Sequence, residues 1–439
     1  MIWVHLLVVL AAIFLGARLG GIAIGFAGGL GVLVLAVLGV SPGDMPLDVI
    51  SIIMAVICSI AAMQVAGGMD YLVDLAERVL RRNPKHLTFL APAITYLMTL
   101  MAGTGHTAFS TMPVITEVAK ENDMRPSRPL SVAVVASQIA ITASPISAAV
   151  VFFSSQLEPL GVGYLQLLGV AIPSTFIACM LTAGVMTLVD RANPHSALSA
   201  DPVYQDRLAR GVVTLRGRQE RELAPHARAS VLVFLVGLLA VMAYATAISD
   251  RVGLIDEPVM GRDQAIIAFM LTIATVIVMW ARVAPSEILS ASTFKSGMSA
   301  SICVLGVAWL GTTFVQAHTD AIKGAAGDLL TGYPWLLAVV LFFAAALLYS
   351  QAATTRALMP TALALGVAPA AAVAAFPAVS ALFVLPTYPT LLAAVEMDDT
   401  GSTRIGKAVF NHPFLVPGVL AVAFAVALGF LFGAVIIEL

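Results

Sequence analysis

The chain has 439 residues, of which 60% are hydrophobic and 11% charged, with a formal net charge of −2. Soluble globular domains carry roughly 25% charged residues, so most of this surface must meet lipid. Apolar runs of about 20 residues recur and alternating ten-residue segments do not, which predicts an all-α polytopic membrane protein and excludes a β-barrel. The net charge carries no signal of a nucleic-acid partner.

Met1-Ile-Trp-Val-His-Leu6 lacks Lys and Arg, so the first run, about 2–16, is read as a retained helix and not a signal peptide. Gly20, Gly21, Gly25, Gly28, Gly29 and Gly31 open a second helix, about 21–40, and allow close helix approach in lipid. A third helix covers about 48–68 and ends at Gly67-Gly68. Arg78, Arg81, Arg82 and Lys85 form a basic cluster. Two apolar stretches follow, about 87–102 and 108–119, split by Gly103-Thr104-Gly105-His106-Thr107. Each is short for a crossing at 1.5 Å per residue, so the pattern predicts a re-entrant hairpin, 87–119, with its tip at 103–107. Its exit, Lys120 to Arg128, is basic like its entry, which places both ends in the cytoplasm. Next come a helix about 130–157, broken near Ser144-Pro145, and a helix about 163–190. Residues 191–228 hold seven arginines against four acidic residues and read as a cytoplasmic connector, too short and polar to bury a core.

Residues 229–439 repeat the plan of residues 1–190. Helices are expected at about 229–249, 264–281 and 295–315, then a hairpin at 334–366 with its tip at 350–356. A helix at 370–396 is broken at Pro386-Thr387-Tyr388-Pro389, and a last helix covers about 408–436. Between them Asp398 and Asp399 read as part of a solvated loop. Five crossings per half is an odd number, so the second repeat is inverted, the hairpins enter from opposite faces, and ten crossings leave both termini outside.

The repeat is also visible residue by residue. Superposing Met112-Pro113 on Met359-Pro360 gives an offset of 247 and sets Thr107 on Thr354. The Ile141–Ser147 segment matches Leu382–Pro389 at an offset of 241. Ser, Thr, Pro and Gly are common in membrane helices, but here order and spacing both recur. Paired, proline-broken polar segments are the mark of a transporter with inverted repeats. Arg356 lies in apolar sequence, where a charge is costly, so it either holds an anion or snorkels to the interface. Half-helix N-termini suit a carboxylate. The candidate substrate contacts are Thr104, His106, Thr107, Gln351, Thr354, Thr355 and Arg356, with Ser144, Ser147, Thr387 and Tyr388 as walls. Thr107, Thr354 and Thr355 are expected to donate hydroxyl protons, and Arg356 to grip a carboxylate with two bonds. A site with one arginine and several helix N-termini fits two carboxylates. His106 either contacts substrate, shuttles a proton or simply hydrogen-bonds within the tip. Carbonyls freed by Pro145, Pro386 and Pro389 suit Na⁺, although no intramembrane Asp or Glu accompanies them. The coupling ion, Na⁺ or H⁺, stays open, and no other cofactor is expected. Cys58, Cys179 and Cys303 read as packing residues. Metalloprotease, lipase-type and P-loop motifs are absent, so an enzyme is not expected and transport would be secondary. A symporter of another organic anion and an anion channel are the alternatives.

Six stretches carry a family likeness: Ile13-Phe-Leu-Gly-Ala-Arg-Leu-Gly-Gly21, Asp48-Val-Ile-Ser-Ile-Ile-Met-Ala-Val56, Ala140-Ile-Thr-Ala-Ser-Pro-Ile-Ser-Ala148, Ser350-Gln-Ala-Ala-Thr354, Leu385-Pro-Thr-Tyr-Pro-Thr390 and Met397-Asp-Asp-Thr-Gly401. Through them the chain resembles the Dcu family of anaerobic C4-dicarboxylate transporters, in its A-type branch. The resemblance implies a multi-pass carrier in the inner membrane of a Gram-negative bacterium. It implies exchange or uptake of fumarate, malate, succinate and aspartate in support of anaerobic respiration. It also implies kinship with elevator-type ion transporters, in which a substrate-carrying domain slides against a scaffold and homodimers are frequent. The family pattern has asparagine where this chain has His106.

Overall fold

The computed structural model describes the whole chain except residues 20–21, 46, 192–196, 214–221, 249–253, 256, 349, 387, 407–409 and 438–439. The side chains of His106, of 319–331 and of some other helical residues also lie outside the described set. Lipid offers no partner to backbone N–H and C=O groups, so a chain this apolar satisfies them within helices. The first half contains α1 (Ile2–Leu19), α2 (Ala23–Val37), α3 (Leu47–Val65), α4 (Gly68–Arg82), α5 (Leu87–Ala102), α6 (Ala108–Glu121), α7 (Ser127–Ile139), α8 (Ala148–Leu157) and α9 (Tyr164–Arg191). The connector carries α10 (Pro202–Ala209). The second half contains α11 (Ala227–Ala247), α12 (Arg262–Ala281), α13 (Pro285–Ser290), α14 (Ser292–Gly332), α15 (Leu336–Leu348), α16 (Gln351–Ala364), α17 (Pro369–Ala375), α18 (Pro389–Met397) and α19 (Leu415–Ile436).

Among the described residues six helical stretches are long and apolar enough to cross a membrane: 127–160, 164–190, 227–247, 263–281, 293–318 and 415–436. A seventh arises if α3 and α4, bent by 70°, count as one span. Ten crossings would require that seventh span and the shorter apolar helices 2–16, 25–37 and 369–380 to contribute as well.

The bend after α3 is made by Gly67, whose φ of +84° only glycine adopts without strain. It turns the chain into α4, which has no counterpart among the helices expected from sequence. Here the basic cluster proves to be one face of an amphipathic helix. Val73, Ala76 and Leu80 are buried, while Arg78 pairs with Asp74 and Arg81 pairs with both Glu77 and Glu121. The Asp74/Arg78 and Glu77/Arg81 spacings are the i,i+4 signal that identifies it. A second difference is α14, which continues to Gly332 through a non-helical turn at His318.

The connector is not bare loop either. Asp201 caps α10 by accepting the Val203 N–H at 3.0 Å, and Arg207 Nη1 donates to the Asp399 carbonyl at 3.1 Å. The loop it meets is buried, contrary to the solvated segment expected. Asp398 accepts from the Thr400 N–H at 3.0 Å, the Ser402 hydroxyl at 2.8 Å and the Thr403 N–H at 2.6 Å. Asp399 takes both oxygens to Lys120 Nζ at 3.0 Å, so the ends of α18 and α6 are clamped together. Asp398 becomes structural because backbone and hydroxyl donors converge on it, and Asp399 because it pairs with Lys120.

Helix contacts recur with the halves exchanged. Helix α14 packs on α2 as α3 packs on α12; α1 packs on α2 as α11 on α12. Likewise α6 meets α18 as α16 meets α8, α7 meets α19 as α17 meets α9, and α9 and α19 meet each other. Helices α2 and α14 approach closely: a Cβ on Gly306 would lie 1.9 Å from the Gly25 carbonyl oxygen. Gly306→Ala therefore has to push two helices apart, and overpacking of this kind costs about 1–3 kcal/mol. Thermal unfolding of the purified variant in detergent should show a lower midpoint. A midpoint equal to that of the parent would mean the α2–α14 seam yields freely.

Candidate substrate site

The helix interruptions that precede α6, α8, α16 and α18 meet around one buried amide. Gln138, near the end of α7, is 0% exposed. Its Oε1 accepts from Gln351 Nε2, the first residue of α16, at 3.2 Å. Its Nε2 donates to Thr390 Oγ1 of α18 at 3.0 Å. Gly105 of the first tip lies so close that a Cβ there would stand 3.1 Å from Gln138 Nε2. First tip, second tip, first break and second break thus share one residue. The arrangement exists because each of these segments stops being helical in the interior. Helix α5 ends at Gly103 with φ +66°, and α7 passes through a 3₁₀ turn (Ala140–Ala143) to an extended Ser144. Helix α17 passes through a 3₁₀ turn (Phe376–Ser380) before α18 restarts behind Tyr388.

Helices α5 and α6 meet, as do α15 and α16. Thr99 and Thr107 hydroxyls lie 2.9 Å apart across the first pair, and Thr88 Oγ1 comes within 3.9 Å of Met124 Sδ at its base. At about 24 Å and 21 Å by helical rise, α5 and α6 are shorter than the roughly 30 Å hydrocarbon core. Ser144 Oγ donates to the Leu100 carbonyl at 2.7 Å, which ties the first break to the first hairpin. Ser147 caps α8 by accepting the Val150 N–H at 3.2 Å and donates to the Ile141 carbonyl at 2.7 Å. Ser350 caps α16 by accepting the Ala353 N–H at 3.2 Å.

Three expected donors have other duties. Thr354 donates to the Ser350 carbonyl at 2.8 Å and Thr355 to the Gln351 carbonyl at 2.6 Å, both within α16. Thr107 faces Thr99 and the Thr104 carbonyl, and lines a narrow apolar crevice with Met63, Met69, Met98 and Phe234 instead of the Gln138 junction. Their hydroxyl protons are already used, because a threonine near a helix start reaches the preceding carbonyls before it reaches anything else. Thr104 and Tyr388 are half-buried at the first tip and at the head of α18. The side chain of His106, and Thr387 as a whole, lie outside the described residues.

Arg356 behaves differently. It is 2% exposed, and none of its three guanidinium nitrogens has a hydrogen-bond partner among the described residues. Its charge lies over the Phe152 ring of α8, 5.2 Å from the centroid. An arginine this buried and this poorly bonded does not snorkel. A cation–π contact returns about 0.5–2 kcal/mol, less than the several kcal/mol that burying a charge costs. The candidate site therefore holds a buried positive charge beside interior helix ends, with donors that bond no described residue.

Comparison with known proteins gives one consistent result. A family model described as an anaerobic C4-dicarboxylate membrane transporter matches residues 1–437. The C4-dicarboxylate transporter DcuA of Wolinella succinogenes is 66% identical over 434 residues, 99% of each chain. DcuA of Escherichia coli K12 is 59% identical over 99% of each chain, and the anaerobic C4-dicarboxylate transporter DcuB of E. coli O6:H1 is 35% identical over 98% of each. The chain belongs to the DcuA/DcuB family. Its fold also resembles the crystal structure of the YdaH transporter of Alcanivorax borkumensis, with a TM-score of 0.52 at 15% identity over 86% of this chain and 84% of that one.

Within this Dcu chain the residue that sequence reasoning missed is Gln138. Nothing in its neighbourhood distinguishes it: it follows Ser137 in a run of small apolar residues six positions before the break. The available signal was an amide inside an apolar helix, which must find partners there.

Proposed function

We propose that the chain is a secondary transporter that carries C4-dicarboxylates such as fumarate, malate, succinate and aspartate across the bacterial inner membrane, by exchange or uptake. The observation that carries this reading is Arg356, a buried cation whose three guanidinium nitrogens bond no described residue, beside interior helix ends. One carboxylate would take the Arg356 fork through two charge-assisted hydrogen bonds. The second would lie toward the junction of Gln138, Gln351 and Thr390, near the starts of α16 and α18, whose dipoles favour an anion. Neutral hydroxyls there have spent their protons, so Arg356 and backbone amides supply the positive potential.

Transport follows from the same architecture. We read residues 1–190 and 229–439 as inverted repeats joined by the connector 191–228. The exchange of helix contacts between halves supports that reading. Both hairpins and both breaks converge on Gln138, so they are suited to move together as the carrying body of an elevator, against a scaffold containing α2 and α14.

Exchange is tested with purified protein in vesicles loaded with unlabelled fumarate and supplied with labelled aspartate outside. Saturable uptake that needs the internal dicarboxylate is the expected result. Uptake into empty vesicles that follows an imposed sodium gradient would replace exchange by symport. Flux without saturation would make the chain a channel.

A further inference from the structure

Helix α4 leaves the apolar helix α3 at an angle of 70°, and its own sequence does not suit hydrocarbon. By helical rise it is about 22 Å long, too short to cross the roughly 30 Å core. Its last residue, Arg82, and the 3₁₀ turn that follows (Pro84–His86) leave Arg82, Lys85 and His86 exposed. Charges are costly at membrane depth, so this end of α4 belongs at the membrane surface. The opposite face, with Val73, Ala76 and Leu80, is buried, and the helix packs on α3, α5, α6 and α11.

The outer face has an order of its own. Tyr71, Leu75, Arg78 and Arg82 follow one another at i, i+4, i+7 and i+11, which is one side of a helix. Tyr71 is half-buried, Leu75 is 45% exposed, and the Arg78 side chain is 54% exposed. The face therefore passes from apolar to basic along its length. No carboxylate cancels the basic end. Asp74 and Glu77 are buried and paired with Arg78 and Arg81, and Asp70 lies about 18 Å from Arg82 by helical rise. Arg82 and Lys85 form no ion pair among the described residues. Water offers nothing to an exposed leucine, and hydrocarbon offers nothing to Arg82. The boundary between them accommodates both, with an aromatic ring at headgroup level and cations at the phosphates.

We propose that this face of α4 is a docking surface for an anionic phospholipid. The acyl chains lie against Tyr71 and Leu75, and the headgroup phosphate is held by the Arg82 guanidinium and the Lys85 ammonium, with Arg78 beside them. Guanidinium and phosphate match in geometry as well as in charge. A free phosphate would use the basic end alone, so the apolar half commits the surface to a lipid. Arg81, next to Arg82, ties α4 to Glu121 at the end of α6. A lipid held here therefore braces the turn through which α3 leads into the α5–α6 pair.

The test is thermal unfolding of the purified full chain in a neutral detergent, titrated separately with phosphatidylglycerol, phosphatidylcholine and inorganic phosphate. A ligand that binds the folded state alone raises the midpoint, so the concentration giving half the rise reports affinity. Phosphatidylglycerol should raise the midpoint of the parent at concentrations at least about tenfold below those at which phosphatidylcholine acts. The variant with Arg82→Gln and Lys85→Gln should need at least about tenfold more phosphatidylglycerol, the factor expected for two basic side chains facing an anionic surface. Both residues are exposed, so its midpoint without lipid should equal that of the parent. The exchange of charges, Arg82→Lys with Lys85→Arg, should keep the response. A parent that responds equally to both lipids, or a glutamine variant with the parent's response to phosphatidylglycerol, overturns the proposal. A rise reproduced by inorganic phosphate alone overturns it too, because the site would then be one for a free anion.

Discussion

Arg356→Met should abolish dicarboxylate binding and at the same time raise the thermal stability of the protein measured without ligand. Two charge-assisted hydrogen bonds at about 1.5–3 kcal/mol each correspond to a loss of at least 100-fold in affinity. The stability half of the expectation follows from the same geometry. The guanidinium is 2% exposed and bonds no described residue, so the empty protein carries the desolvation cost of the charge with only the Phe152 ring in return. Replacing such a charge by an apolar side chain of similar reach is often stabilising by about 1–4 kcal/mol. Thermal unfolding with and without fumarate measures both effects on one sample. The parent should gain stability with ligand and the variant should not, while starting from a higher midpoint. A variant less stable than the parent in the absence of ligand would mean that Arg356 is a structural residue with partners of its own. Arg356→Lys should also bind poorly, because one ammonium cannot reproduce a planar fork.

Gln138→Leu should destabilise the protein more than any other single change at the junction and stop transport. The substitution leaves the Thr390 hydroxyl buried without its donor and takes one of two acceptors from the Gln351 amide, which keeps the Gln138 backbone carbonyl at 3.2 Å. An orphaned buried group costs about 1–3 kcal/mol, so a loss of about that size is expected. The cost arises from orphaned partners and not from lost shape, which gives a second expectation. Gln138→Leu combined with Gln351→Leu should be more stable than Gln138→Leu alone, since removing both members of a buried pair is far cheaper than removing one. Unfolding midpoints of the two single variants and the double variant close the cycle. Additive losses would show that Gln138 and Gln351 act independently and that the four segments are not joined through this amide.

Much of the molecule was open to inspection from residues alone. Charge scarcity and recurring apolar runs specify a helical membrane protein, because lipid forces the backbone to bond itself. The helix interruptions were legible for the same local reason: Gly103, Gly105, Ser144-Pro145 and Pro386-Thr387-Tyr388-Pro389 disfavour a continuous helix whatever surrounds them. Arg356 was legible because a lone charge in apolar sequence is anomalous wherever it falls.

Partnership was not legible. Thr107, Thr354 and Thr355 looked like ligand donors, yet a nearby carbonyl in their own segment claims each of them. Asp398 and Asp399 looked solvated, yet Thr400, Ser402 and Thr403 close the loop on Asp398, and Lys120 and Arg207 of the connector reach Asp399 from distant segments. Gln138 looked ordinary, and four separate segments use it. Residue types and spacing determine where a chain must break and which groups are too costly to leave bare, since those costs are local. Which polar groups then satisfy one another is decided by the packing of distant segments, so only the tertiary structure separates Arg356, with its donors unused, from the hydroxyls beside it.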